Sequence, residues 1–214
     1  MSEFKAWPKT PRLFRDITIT EKIDGTNAAV QIHKLEGEVY GDKLMVAEVE
    51  QEDGVYGVWA QSRKRLITPQ DDNAGFARWV SNQAHHLVPA LGPGTHYGEW
   101  WGQGIQRNYG MNHKRFSLFN TSKWNDLFYL AEDHHWAHLR VAGIDVVPVM
   151  YEGPFSETAV KLALADLRMN GSIANPDYDN PEGVIVYHHA ANSVFKVLLE
   201  NDEIPKGLVS TSVA

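Results

Sequence analysis

Lys22 is the residue of this sequence whose type and surroundings best fit a nucleophile. It is the second residue of the run Glu-Lys-Ile-Asp-Gly-Thr-Asn (residues 21–27), which two apolar-alternating stretches flank. A lysine amine at a strand end can attack an electrophile, and Gly25 allows the backbone to pass close to a ligand. Glu21 and Asp24 are candidates to position the amine or a metal ion. Alone, Lys-x-Asp-Gly is also typical of a polar hairpin turn with a solvated lysine.

The apolar pattern predicts a β-rich fold around this run, after an irregular lead-in over residues 4–15. The predicted strands cover residues 17–20, 28–32, 44–47, 55–60, 95–100, 115–120, 144–150, 182–187 and 193–198. Helical spacing predicts one helix that starts at Gly75 and ends before Pro89, and a second over residues 156–169. The residues suited to cap or stop these helices are 71–73, Ser156 and Gly171.

Composition restricts the kind of protein. The chain has 214 residues, 43% of them hydrophobic, which fits a single globular domain. Without cysteine, disulfides and thiolate sites are excluded. The net charge of −7 argues against a general nucleic-acid coat, although residues 63–65 and 107–115 form basic clusters. No signal-like or membrane-spanning apolar run is seen, which predicts a soluble, cytoplasmic protein.

Two further groups of side chains can carry chemistry. Glu99 stands in the sequence Tyr-Gly-Glu-Trp-Trp, and because burying an unpaired charge is costly, it either faces a polar cleft or is paired. His134, His135 and His138 have a spacing that metal sites use, but no Glu-x-x-His frame accompanies them. Exposed histidines are therefore favoured over a zinc site.

In this order, the short signals resemble the motifs of the covalent nucleotidyltransferases, the superfamily of ATP-dependent polynucleotide ligases and mRNA capping enzymes. The matching segments are residues 22–25 for the nucleophile motif, followed by 62–63, 97–99, 116–119, 182–186 and 195–197. Six signals in one order are far less probable by chance than one. The run at 21–27 and the spacing are most similar to RNA ligases of bacteriophage RNA repair and RNA editing.

The resemblance implies a fold and a domain organisation. The fold is expected to be α+β, a nucleotidyltransferase (ATP-grasp-like) fold of antiparallel sheets with helices outside, as a single adenylation domain over 1–214. After Lys196 only residues 197–214 follow in this sequence, too few for the five-stranded OB barrel that DNA ligases and capping enzymes append. This difference favours the RNA ligase type.

The resemblance also implies a reaction. Lys22 attacks the α-phosphate of ATP and forms lysyl-AMP, the AMP passes to an RNA 5′-phosphate, and a 3′-hydroxyl then seals the strand. A free lysine is mostly protonated at neutral pH, so attack needs nearby positive charge, which Mg²⁺ (or Mn²⁺) and Lys196 can supply. Glu99 and Glu182 suit the metal, because hard cations prefer oxygen ligands. Lys22, Glu182 and Lys196 are thus the predicted catalytic residues.

By the same resemblance, further residues receive roles. Phe119 is expected to stack on adenine, Glu99 to hold the ribose, Arg63 to contact the sugar or a phosphate, and Asn27 to engage a phosphate later. The full set predicted to bind the nucleotide is Glu21, Asp24, Asn27, Arg63, Glu99 and Phe119. The predicted contacts to the RNA backbone are Arg65, Arg107 and Lys114. The RNA ends or nicked duplex are the expected partners, with an unknown protein as a further source of RNA binding.

The sequence departs from the family pattern at two positions. Leu198 stands where the fifth motif usually has its second lysine, and Asn120 stands where relatives often carry aspartate. The first departure puts phosphate neutralisation in doubt. Two alternatives therefore stay open: a DNA nick ligase or other nucleotidyltransferase, and a nucleotide- or RNA-binding protein without turnover.

Overall fold

The described strands form two β-sheets, which belong to two compact units. The computed structural model describes residues 3–36, 42–124, 143–200 and 202. One unit consists of residues 1–22 and 148–214, and the other of residues 23–147. The single domain over 1–214 stays a prediction. No helix in the described ranges is long and apolar enough to cross a membrane.

The strands and helices are numbered in chain order. The strands are β1 (Asp16–Lys22), β2 (Thr26–Lys34), β3 (Met45–Gln51), β4 (Gly54–Ser62), β5 (Leu66–Ile67), β6 (Gly94–Gly102), β7 (Lys114–Leu118), β8 (Ile144–Val146), β9 (Val149–Pro154), β10 (Gly183–His188) and β11 (Ser193–Leu198). The two long helices are α1 (Phe76–Leu91) and α2 (Glu157–Asn170).

The unit that contains Lys22 is built on a four-stranded antiparallel sheet with the order β11-β10-β1-β9. Alternation along β1 sends Ile17 and Ile19 into a core with Ala163 and Leu167 of α2, and sends the intervening residues to the other face. The predicted helix caps are confirmed. The Ser156 hydroxyl accepts a hydrogen bond from Ala159 N at 3.2 Å, and α2 ends before Gly171, whose φ is 79°.

The other unit is built on a sheet with the order β3-β4-β2-β6-β7-β8, in which β5 pairs with β4. All pairs are antiparallel except β7 and β8, which are parallel. One face of this sheet packs on α1. The large side chains buried between them include Phe76 of the helix and Trp100 and Phe116 of the sheet. The expectation of an α+β fold with mainly antiparallel sheets is confirmed.

The predicted end of α1 is wrong, because the helix continues through Pro89 to Leu91. Proline lacks the N–H of one helical hydrogen bond, but Leu87, Val88 and Leu91 are buried, and this packing stabilises the last turn. The helix closes where Gly92 N donates to Val88 O at 3.0 Å. The predicted acidic cap is confirmed at Asp72, whose carboxylate accepts hydrogen bonds from Ala77 N and Arg78 N at 2.8 and 3.0 Å.

The single strand predicted over residues 144–150 is also wrong. The structure has two strands there, β8 and β9, which belong to different sheets. Pro148 lies between them and cannot donate a backbone hydrogen bond to a sheet. The predicted metal-spaced histidines, His134, His135 and His138, lie outside the described residues.

Candidate functional site

Lys22 is the last residue of β1, and the antiparallel register places it opposite Gly183, the first residue of β10. Because Glu182 immediately precedes Gly183, the two ionisable side chains meet: Lys22 Nζ donates to Glu182 Oε2. The side chains are 20% and 6% exposed, respectively. The sheet therefore brings together two of the three predicted catalytic residues and keeps the amine within reach of solvent.

Lys196, the third predicted catalytic residue, lies on the same face of this sheet as Lys22. It pairs with Ile185, which in turn pairs with Thr20, two residues before Lys22 on β1. Residues two apart on a strand share a face. The exposed Lys196 thus stands two rows and two strands away from the nucleophile candidate, on a strand at the edge of the sheet.

Leu198 lies in the same row as Lys22. Leu198 pairs with Gly183, and Gly183 pairs with Lys22, so the row reads leucine, glycine, lysine. A side chain at Gly183 would collide with the backbone of Val197, and its φ of +149° also favours glycine. The position that carries the second motif lysine in relatives is therefore directly across the sheet from Lys22 and holds a hydrocarbon side chain.

Glu21 has a different environment from its neighbour Lys22. Its carboxylate is 1% exposed and accepts hydrogen bonds from Ser172 Oγ at 2.6 Å and from Ile173 N and Ala174 N at 2.8 Å each. These contacts hold the turn that follows α2 against the end of β1. The geometry gives Glu21 a structural role, and nucleotide binding by this residue stays a prediction.

Glu21 should also make stability depend on pH. Burial raises the pKa of Glu21 above its usual 4.5, against the opposing effect of its hydrogen bonds. The folded protein therefore binds this proton more tightly than the unfolded chain, and the free energy of unfolding should fall as pH rises from 4.5 through the raised pKa. The slope is at most about 1.4 kcal/mol per pH unit, the limit for one proton.

Urea unfolding of the wild type and Glu21→Gln between pH 4 and 8 measures this dependence. We expect the component that belongs to Glu21 to disappear in the glutamine variant. Parallel stability curves for the two proteins over the whole range would contradict this assignment.

In the other unit, hydrogen bonds hold the end of the Lys-x-Asp-Gly motif from three sides. The Asp24 carboxylate pairs with Arg107 Nε at 3.2 Å, and Asp24 N donates to the Tyr109 hydroxyl at 3.1 Å. Gly25 N donates to Glu99 Oε1 at 3.1 Å. One oxygen of Glu99 thus accepts a backbone hydrogen bond, and Arg107, predicted to contact RNA, contacts Asp24.

The residues that hold Asp24 come from a strained loop between β6 and β7. Gln106, Asn108 and Tyr109 have φ values of 45°, 62° and 50°, which are left-handed conformations that cost free energy for residues other than glycine. Tyr109 is fully buried, with Trp101 packed edge-on at 5.1 Å. The packing of Tyr109 thus stabilises the strained conformation of the loop. Sequence reasoning missed Tyr109, because no spacing rule links it to residue 24.

Two predicted nucleotide-binding residues are neighbours in this unit, since Asn27 on β2 pairs with Glu99 on β6. Both lie on the face away from α1, because the alternating Ala28 and Trp100 lie in the core. Phe119 N donates to Tyr97 O, which extends the strand ladder by one residue past β7. Alternation then places Phe119, which is 39% exposed, on the same face as Glu99.

The predicted basic residues of this unit have several environments. Arg63 and Arg65 are exposed in the turn between β4 and β5, and Arg65 pairs with Asp71 at 2.6 Å. Lys114 Nζ donates to Ala74 O at 2.8 Å. Arg63 and Phe119 are thus the predicted nucleotide contacts that are exposed to solvent.

The predicted metal ligands are carboxylates that each already hold a protein group. Glu182 accepts from Lys22, and one oxygen of Glu99 accepts from Gly25 N. Within the described ranges, no three His, Asp or Glu side chains form a cluster. Each carboxylate, taken in its own unit, is a donor that suits Mg²⁺ or Mn²⁺, because such ions are often held by one or two carboxylates, waters and substrate phosphates.

Comparison with solved structures finds proteins of similar fold. Two solved structures of mutant RNA ligase from Naegleria gruberi are similar. One, with ATP and Mn, has 15% identity and a TM-score of 0.55 over 88% of this chain and 51% of that chain. The other, with AMP and Mn, has 16% identity and a TM-score of 0.50 over 87% and 50%. The chain thus spans about half the length of these structures, and the likeness supports the fold.

The sequence comparisons are more specific. No curated protein gives a significant match. A family model described as RNA ligase matches residues 15–198, from just before β1 to the last residue of β11. Because this match includes both units and nearly all the described strands, the chain belongs to the RNA ligase family.

Proposed function

We propose that this chain is the adenylation domain of an ATP-dependent RNA ligase that joins 5′-phosphate and 3′-hydroxyl ends. The observation that carries the proposal is the placement of Lys22 within the family match: an accessible amine at the end of an ordered strand, with Glu182 beside it. The ATP, AMP and Mn present with similar ligases support ATP as the substrate and Mg²⁺ or Mn²⁺ as the metal.

The first step forms a covalent nucleotide adduct. The Lys22 nitrogen bonds to the α-phosphorus of ATP, the bond from that phosphorus to pyrophosphate breaks, and the amine loses a proton to solvent. Glu182 holds the lysine in one orientation before attack. A divalent cation neutralises charge on the triphosphate when bound. By resemblance, Arg63, Glu99 and Phe119 contact the nucleotide.

Two transfers then seal the strand. An oxygen of the RNA 5′-phosphate attacks the adenylyl phosphorus, and the lysine amine leaves with a proton. The RNA 3′-hydroxyl attacks the 5′-phosphorus, a new phosphodiester forms, and AMP leaves. A bacteriophage-type role in RNA repair is part of the proposal, supported by the similarity of residues 21–27 to those ligases.

A labelling experiment tests the proposal. The purified protein is incubated with Mg²⁺ or Mn²⁺ and ATP labelled in the α-phosphate, and is then separated by denaturing electrophoresis. We expect a labelled protein band with ATP and none with GTP. Matched RNA and DNA strands with a 3′-hydroxyl then distinguish an RNA ligase from a DNA nick ligase.

One observation favours a second candidate function, a nucleotide- or RNA-binding protein without turnover. Leu198 lies across the sheet from Lys22, where relatives have a lysine. Absence of the labelled band at every metal and pH tested would favour this alternative. In that case, labelling that appears in Leu198→Lys would assign the defect to this one position.

A further inference from the structure

The segment that precedes β1 has an unusual composition. Residues 4–15, here called the N-terminal arm, contain four cations and no acidic residue, although the chain has a net charge of −7. The cations are Lys5, Lys9, Arg12 and Arg15. Among the described residues, none of them takes part in an ion pair. The arm is thus a local region of positive charge on an acidic protein.

The arm also carries aromatic side chains that the fold leaves in solvent. Phe4 is 94% exposed and Trp7 is 89% exposed, whereas the other tryptophans of the described ranges are buried or half-buried. Single exposed apolar residues are ordinary, but the arm has three such rings within residues 4–14, since Phe14 is also 75% exposed, and concentrated apolar surface marks interaction sites. Pro8 and Pro11 restrict the backbone between them, which lowers the entropy lost when the arm is ordered by a ligand.

The base of the arm is fixed to the unit that contains β1. Arg15 O accepts a hydrogen bond from Phe155 N at 2.9 Å, and the rings of Phe14 and Phe155 meet edge-on at 6.1 Å. His188 Nε2 lies 2.7 Å from Leu13 O, a geometry in which the ring nitrogen donates. Residues 3–12, in contrast, lie in no helix or strand. A ligand bound by the arm is therefore held at a defined place.

We propose that the N-terminal arm binds single-stranded RNA, which adds an RNA contact to the function proposed above and rests on it. Alternating cations and aromatic rings suit a single strand, because cations pair with successive phosphates and exposed bases stack on aromatic faces. A purely apolar protein partner would not explain why the arm contains four cations and no acidic residue. Charge complementarity therefore selects a polynucleotide.

The position of the arm specifies which part of the RNA it contacts. The arm leads directly into β1, and six residue steps along this strand separate Asp16 from Lys22. At about 3.4 Å per residue, that distance is about 20 Å. The base of the arm is therefore away from the reacting amine, so RNA bound there gains affinity without contact to the reacting atoms.

Fluorescence anisotropy tests this proposal with a labelled, unstructured RNA oligonucleotide that carries a 5′-phosphate. Trp7→Ala should weaken binding about tenfold, whereas Trp7→Phe, which keeps an aromatic face, should restore most of the affinity. The triple variant Lys5→Ala, Lys9→Ala, Arg12→Ala should make the negative slope of log affinity against log salt shallower by about 2. Lys161→Ala, which removes an exposed lysine from α2, is the matched control and should bind like the wild type.

The adenylation assay without RNA separates this proposal from the proposed function. Arm variants should form the labelled adduct at the wild-type rate. If the arm variants bind RNA with unchanged affinity and salt dependence, the proposal is overturned, and the exposed aromatics point to a protein partner. If neither the wild-type protein nor the arm variants become labelled, the proposed function fails. The anisotropy result then still decides whether the arm binds RNA.

Discussion

Replacing Lys22 by alanine is expected to abolish the labelled protein–nucleotide adduct completely. No methyl group can attack phosphorus, and Lys196 is two rows and two strands away from the position of Lys22. The loss should therefore reach the detection limit of the gel at every pH and metal concentration. A mutant that still becomes labelled would refute Lys22 as the nucleophile.

The alanine variant also removes the partner of Glu182, which is 6% exposed. A carboxylate left unpaired at such a site costs roughly 1–3 kcal/mol of stability, so activity could be lost through unfolding. Lys22→Arg provides the matched control, because it retains a cation for Glu182 but has no comparable nucleophile. We expect both variants to lose labelling, and the arginine variant to unfold at nearly the wild-type urea concentration.

Replacing Gly25 by alanine is expected to destabilise the fold by about 3 kcal/mol or more. A Cβ at this position would lie 2.5 Å from Trp100 O and 2.8 Å from Trp101 Cβ, distances that neither a backbone oxygen nor a buried ring can relieve by a small movement. Sequence reasoning assigned this glycine to close approach of a ligand. The structure adds a separate requirement, because β6 passes against residue 25.

Gly92→Ala is the control that distinguishes this collision from backbone strain. Gly92 has a φ of 68°, which disfavours alanine, but a Cβ there would meet no atom within 4 Å. Its substitution should cost about 1–3 kcal/mol through backbone strain alone, because φ 68° with ψ −178° is a conformation almost confined to glycine. Equal losses for the two variants in urea unfolding would show that the clash at Gly25 is relieved and would contradict the prediction.

Local patterns in the sequence predicted the parts of the site that local physics determines. Strand alternation placed Lys22 at the end of β1, and capping chemistry placed Ser156 and Gly171 at the ends of α2. The strand ending at Leu198 was predicted over the same residues that the structure gives. These features depend on neighbouring residues alone, which is why periodicity and capping rules reveal them.

The missed features depend on residues far apart in the chain. Glu21 is held by Ser172 and the two residues that follow it, and Asp24 by Arg107 and Tyr109. No periodicity relates such partners, since tertiary packing alone brings them together. The helix through Pro89 is a different kind of error: the local rule for proline was overridden because the last turn packs its apolar side chains into the core.

The order of strands around β1 has a consequence for the time at which Lys22 becomes ordered. Both neighbours of β1, β9 and β10, come from beyond residue 148, and Lys22 and Glu182 are 160 residues apart. At about 5–20 residues per second, a ribosome needs roughly 8–30 s to add the partner of Lys22 after Lys22 itself. During synthesis, β1 therefore remains without its two neighbouring strands until residues 149–188 have been made, and Lys22 can pair with Glu182 only after that point.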